Sequence, residues 1–296
     1  MPATPPLAEL IDDINALDAL LMPAKTTYFV DPQKGDDTAH DGKSWDAPKA
    51  TIQAAITASN AEIDWSATPK RFNRIYVAPG VYAENLTPPY YCQIVGTGIR
   101  GTDTETEIHP TSGSCFTGTF LGTHLFNLRM EVMAQDDEIL DLGICNNSRI
   151  KSCVFALGAN VSGVVGIDTE NCTHLWVEDC DFESGQLQDM AYAIYHRGGA
   201  DKFAHNCRYL RNRMWVQTCG IWIQDTCTAS QSLAQKNFIK VAGTGKGIDD
   251  NNGNLYCVEN DIVVVGAGDA IEHAGGAGFT LRNHTLVNGS YALETA

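Results

Sequence analysis

Asp168, Tyr195, Trp222 and Asp249 follow one another at intervals of 27, 27 and 27 positions. A periodic chain that brought them to one face would set a carboxylate on either side of two aromatic rings. Around them the sequence adds His196, Arg197, Gln224 and Asp225. Two carboxylates about 5 to 10 Å apart can hydrolyse a glycosidic bond. Asp168, His196 and Asp249 are therefore the acid/base candidates, Tyr195 and Trp222 the stacking platforms, and Arg197 and Gln224 the polar contacts to a bound sugar. The competing reading is local, because Asp and Asn crowd the turns of any solenoid, where their side chains bond neighbouring backbone. That reading is preferred over catalysis.

The interval of 27 belongs to a repeat. Leu140, Ile167, Ile194, Ile221, Ile248 and Ile271 align at spacings of 27, 27, 27, 27 and 23, and all but the first follow Gly or Ala. A second column runs Cys153, Cys180, Asn212, Asn237, Asn260, Asn283, with Phe155, Phe182, Met214, Ile239, Ile262 and Thr285 two places on. Helical repeats need long stripes of Leu and Ala, and leucine-rich repeats need their own signature; neither is present. Short strands such as IYV, QIV, LWVED and FTLRN between Gly, Asn and Asp remain. The chain therefore reads as all-β, a right-handed single-stranded parallel β-helix, a solenoid with coils of about 23 to 27 residues. One place after each aliphatic come Asp141, Asp168, Tyr195, Trp222, Asp249 and Glu272. This reading puts them on the outside, together with the residues just beyond, His196, Asp250 and His273 among them.

Composition narrows the partners. The chain has 296 residues, 20 basic against 36 acidic, and a net charge of −16. A phosphate backbone would be repelled, so nucleic acid is not expected. No apolar run is long enough to insert in a membrane, and MPATPPLAEL lacks the basic and apolar regions of a secretory signal. Ten scattered cysteines without a CxxC pair read as buried free thiols in a core ladder, rather than disulfides or zinc ligands. No cofactor is expected. Asp31, Asp36, Asp37 and Asp41 offer hard oxygen ligands for Ca2+, but they lack EF-hand spacing, and a solvated loop is preferred.

Three segments follow. Residues 1–24 carry Leu7, Leu10, Ile14, Leu17 and Leu21, an a/d seam expected to form an amphipathic helix for attachment or oligomerisation. Residues 25–65 are the lead-in with a capping helix, in which KATIQAAITASN places Ile52, Ala55 and Ile56 on one face. Residues 66–296 are the β-helix, opening with RIYVAPGVY.

The stretch YFVDPQKGDDTAHDGKSWDAPKATIQAAI, followed by IYVAPGVYAENL and IVGTG, resembles the opening of pectin-lyase-like β-helix proteins, a group that includes pectinesterases, polysaccharide lyases and phage tail proteins. The resemblance covers residues 27 to 98 and implies the fold more than the function. Gln224-Asp225-Thr226 also resembles a pectinesterase motif in which the aspartate donates a proton, which would make Asp225 catalytic. The rest of that motif is missing: the next coil reads GIDDNNG, and the late arginine is Arg282 in TLRNHT.

The leading functional expectation is a bacteriophage virion protein, structural or receptor-binding, of the tail-spike, fibre or capsid-decoration type. The resemblance implies a homotrimer, joined to another virion protein through the N-terminal helix and assembled in the host cytoplasm; outside a virion, the chain would be extracellular without a recognisable signal. The alternatives are a polysaccharide-active enzyme, whether lyase, hydrolase or esterase, and a non-catalytic adhesin for a surface polysaccharide. Activity as an enzyme is left open, with the balance against it.

Overall fold

The computed structural model describes residues 24–67, 71–102, 104–135, 137–158, 161–183, 190–199, 201–251, 254–273 and 279–294. The seam formed by Leu7, Leu10, Ile14, Leu17 and Leu21 lies outside the described residues. The chain winds into a right-handed parallel β-helix, in which each coil pairs in register with the next. The aligned aliphatics form one inner column: Leu140 faces Ile167, followed by Ile194, Ile221, Ile248 and Ile271. A second column stacks Phe155, Phe182, Met214, Ile239, Ile262 and Thr285. The Phe155 and Phe182 rings lie parallel at 4.4 Å.

The corners explain why these sequences turn where they do. Ser152, Asp179, Arg211, Lys236, Glu259 and Arg282 each adopt a positive φ, between 53° and 55°. The residue after each is the Cys or Asn of the repeat. In four successive coils that asparagine is fully buried and bonds its neighbours: the Asn237 side-chain amide donates to Asn260 Oδ1 at 2.9 Å and to the Tyr209 carbonyl at 2.8 Å. Its own Oδ1 accepts from the Asn212 backbone and side-chain amides at 3.0 and 3.1 Å. Asn260 repeats the pattern, and Asn283 ends the ladder, accepting from Asn260 and donating to the Cys257 carbonyl of the same preceding coil. Upstream, Cys153 and Cys180 fill the same corner as small apolar groups.

All ten cysteines are buried and free. Cys145 and Cys172 face each other on one rung. The equal step from Cys180 to Cys207 is not a rung, because Trp176 pairs with Arg208 and so sets Cys207 beside Leu175. The coil that carries Trp176 to its partner Arg208 is longer than 27 residues, which breaks the sequence spacing.

Both ends of the solenoid are covered. The solenoid begins before residue 66: Thr27–Val30 already pairs in parallel with Asn73–Val77, and the capping helix Ile52–Ala61 is inserted between these two coils. Thr51 caps the helix, with the Ala54 amide donating to its Oγ1, and the Ile52 and Gln53 amides donate to the Glu84 carboxylate, both at 2.9 Å. A carboxylate there meets both the free amides and the positive end of the helix dipole. Ile52, Ala55 and Ile56 are buried, closing the apolar lumen. At the other end the last strand, Ser290–Glu294, runs antiparallel to Asn283–Val287 and covers that edge. Among the described residues no helix is long and apolar enough to cross a membrane.

The asparagine ladder yields a direct expectation. Asn237→Ala strands two buried donors on Asn212, so the stability loss should be on the order of 2 to 4 kcal/mol. The exposed Lys240→Ala on the adjoining strand should stay within about 0.5 kcal/mol. Equal urea midpoints for the two variants would show that the ladder does not hold the coils.

Candidate functional site

Strand alternation sends the residue after each inner aliphatic outward. The outer column reads Thr117, Asp141, Asp168, Tyr195, Trp222, Asp249 and Glu272, each paired with the next. It is a run of carboxylates interrupted by two rings. Tyr195 and Trp222 stack at 4.8 Å with 21° between their planes. Tyr192 joins them, 5.5 Å from Tyr195 and 5.0 Å from Trp222. The sequence did not disclose Tyr192: simple alternation gives it the inward parity of Ile194, but the register shifts between Met190 and Tyr192.

Polar groups fix the slab. The Tyr195 hydroxyl donates to Gln224 Oε1 at 2.7 Å, and the Gly198 amide donates to the same oxygen at 2.8 Å. The Asn251 side chain, oriented to satisfy both neighbours, accepts from Trp222 Nε1 and donates to Asp249 Oδ1, each at 3.1 Å. Lys246 Nζ bonds Asp249 Oδ2 at 2.9 Å and also pairs with Glu272. Against the slab opens a cavity of about 130 Å³, lined by Tyr192, Thr218, Trp222, Gly245, Lys246 and Asp249. Gly245 closes one wall by lying so near the preceding coil that a Cβ there would sit 1.8 Å from the Thr218 carbonyl oxygen. Gly220 is fixed in the same way: a Cβ would meet Ile239 at 2.6 Å and the Gly247 carbonyl at 2.7 Å.

On the other side of the rings, Arg197 gathers carboxylates. Its guanidinium meets Asp168 at 2.7 Å, Asp141 at 3.2 Å, Glu138 at 3.5 Å and Glu170 at 3.7 Å, and Lys202 also pairs with Glu170. Asp168 is only 3% exposed, and its Oδ1 has no hydrogen-bond partner among the described residues. Burial raises its pKa to about 7; Arg197 opposes the shift, while Glu138 and Asp141 add to it. The contact with Arg197 alone would favour the ionised form, but desolvation of a nearly enclosed carboxyl outweighs one half-exposed guanidinium. Burial likewise raises Asp249, against Lys246 and with help from Glu272 and Asp225.

His196 is corrected by the structure. It is fully buried inside the solenoid, with Nδ1 2.7 Å from Thr169 Oγ1 and Nε2 on the Tyr209 hydroxyl. Burial lowers its pKa to about 4, so the ring is a neutral core group. Asp250 and His273 share its parity, and Asp250 is likewise enclosed, accepting from the Leu255 amide at 2.7 Å. Alternation within GIWI already sets Ile221 in, Trp222 out and Ile223 in, and His196 pairs with Ile223. Asp168 and Asp249 stand three rungs apart, about 14 Å at ~4.8 Å per rung, beyond the span of a glycosidase pair. Asp225 lies in an exposed turn next to Thr226, which has φ 70°. The acid/base trio is therefore not assembled, whereas Tyr195, Trp222, Gln224 and Asp249 are.

The four aspartates proposed for Ca2+ serve their own loop. Asp31 accepts from the amides of Gln33 and Lys34, Asp36 from Thr38 and Ala39, Asp41 from Lys43, and Asp37 from Ala50 and Thr51. Among the described residues no group of three or more His, Cys, Asp or Glu side chains is placed to hold a metal ion. A larger cavity of about 510 Å³ elsewhere on the solenoid carries Arg100, Arg129, Arg211 and Arg213. Its charges are internally matched: Arg211 pairs with Asp179 at 2.7 Å, Arg129 with Glu183 at 3.0 Å, and Arg100 and Arg213 both meet Asp181.

No protein-family model and no curated protein matches the chain. Similar solved structures include ORF18 of Geobacillus virus E2, at 14% identity and TM-score 0.33, covering 100% of this chain and 69% of that one. Another is the GH136 lacto-N-biosidase of Eubacterium ramulus, at 12% identity and TM-score 0.32, covering 95% and 71%. Likenesses this distant carry no argument about chemistry, which rests on the residues above.

The raised Asp168 pKa sets a pH dependence. The ordinary carboxyl value is 3.8 and the folded value about 7, so the folded chain holds this proton more tightly. The associated stability is complete below about pH 4 and lost as pH rises through about 7. Asp168→Asn should flatten the decline in stability between about pH 4 and pH 7; an unchanged slope would place the titrating group elsewhere.

Proposed function

We propose that this chain is a receptor-binding protein of a bacteriophage virion that grips a surface polysaccharide through its outer aromatic slab without cleaving it. The observation that carries the binding role is the stack of Tyr192, Tyr195 and Trp222 beside a cavity edged by Asp249 and Lys246. Ring faces cover the apolar C–H surface of a pyranose, and carboxylate, amide and ammonium groups at the rim take its hydroxyls. Rings held by their neighbours lose little conformational freedom on binding. The virion setting is supported by the resemblance of residues 27 to 98 to phage tail β-helices. A homotrimer, attached to another virion protein through residues 1–24, belongs to the same reading.

One observation favours a second reading, a polysaccharide-active enzyme. A nearly enclosed carboxyl with a pKa near 7, as Asp168 has, has the protonation state of a general acid at neutral pH. Its neighbour Asp141, one rung away, shares Arg197. Reducing-end release abolished by Asp168→Asn would establish the enzyme, whereas binding without turnover supports the receptor-binding protein.

Trp222→Ala should weaken polysaccharide binding roughly 5- to 30-fold, the value of about 1 to 2 kcal/mol of ring contact, with the thermal midpoint measured alongside to separate loss of binding from loss of fold. Trp222→Phe should retain most of the affinity. Deletion of residues 1–24 should convert a trimer to a monomer in light scattering; a full-length chain already monomeric would remove the oligomer from this account.

A further inference from the structure

The aromatic slab does not lie in neutral surroundings. On one side Glu138, Asp141, Asp168 and Glu170 face, among the described residues, Arg197 and Lys202. On the other, Asp249 and Glu272 both use Lys246, and Asp225 lies close enough to raise the Asp249 pKa. Carboxylates outnumber cations in both clusters. Every cation is already engaged by more than one carboxylate or, for Lys202, by a carboxylate shared with Arg197, so none is left to receive an anionic ligand. Asp168 Oδ1, buried on the rung next to Tyr195, has no hydrogen-bond donor among the described residues. Ring faces are themselves negative and attract cations. Lys246 already shows what this corner accepts, since its ammonium group lies at the cavity wall between two carboxylates.

Resting on the glycan-binding reading of this face, we infer that the slab takes glycans bearing a free amine, and rejects those bearing a carboxylate. The ammonium group of an amino sugar over Trp222 and Tyr192 would gain the ring faces and the excess carboxylate charge together. A uronate at the same place would lose water and meet like charge, with every guanidinium and ammonium group nearby already bonded.

The test titrates the full chain with three oligosaccharides of equal length: chitosan oligomers with free amines, chitin oligomers with N-acetyl groups, and oligogalacturonate. The expected order is amine first, neutral at least tenfold weaker, and uronate without measurable binding. The amine preference should shrink as salt is raised, and should fall severalfold in Glu272→Gln. Because a chain of net charge −16 draws any polycation, Trp222→Ala is the deciding control: it should weaken amine binding roughly 5- to 30-fold at moderate salt. Undiminished binding in that variant would assign the effect to bulk charge and overturn the inference. Uronate binding as tightly as the amine would overturn it too, while leaving glycan recognition intact. Failure of all three sugars would overturn the inference and the reading it rests on.

Discussion

The structure depends on one constraint: each coil must stack on the last without slipping. Parallel pairing alone tolerates a shift, since backbone donors and acceptors recur along every strand. The buried asparagines remove that freedom. Asn212, Asn237, Asn260 and Asn283 each satisfy a backbone carbonyl and a backbone amide of the preceding coil. A slip of one residue would bury several unpaired polar groups at once, at roughly 1 to 3 kcal/mol each. Left-handed residues just before them turn the chain at a fixed place, so the inner aliphatics and the outer column inherit the same phase.

That phase makes the surface chemistry. Once Ile194, Ile221 and Ile248 share a column, Tyr195, Trp222 and Asp249 must share the next one outward. Stacked neighbours hold the rings flat, and each carboxylate flanks a ring or another carboxylate. Arg197 and Lys246 relieve the repulsion this creates within each acidic cluster. They do so incompletely: Glu138, Asp141, Asp168 and Glu170 share Arg197, and Asp249 and Glu272 share Lys246. The column is therefore electrostatically biased by its own construction, independently of the chain's overall charge.

Much of this was legible in the sequence, for a physical reason. A solenoid converts sequence spacing into spatial stacking, so the steps of 27 and 23 from Leu140 to Ile271 are the register itself. The steps from Phe182 to Met214 and from Met214 to Ile239 are register too; the step from Cys180 to Cys207 is not, because a longer coil shifts the count. His196 was misplaced although the information was present: its partner Ile223 faces inward, and alternation requires the same of the histidine. Tyr192 and Lys246 were not legible. The first turns outward at a register irregularity, and the second comes from a connection whose path depends on Gly245 lying against Thr218. The inserted capping helix hid the first strand, since Thr27–Val30 is separated from its partner by far more than one ordinary coil.

The central claim is that coil stacking builds a rigid aromatic slab with a charged rim, and that this slab is where the molecule meets a glycan. A crystal structure of the chain with the oligosaccharide that binds it most tightly tests this directly. The account requires a sugar ring lying against Trp222 and Tyr192, with Asp249 or Lys246 bonded to its substituents and Tyr195 still stacked on Trp222. A sugar seated in the arginine-lined cavity around Arg129 and Arg213, with the slab bare, would contradict it.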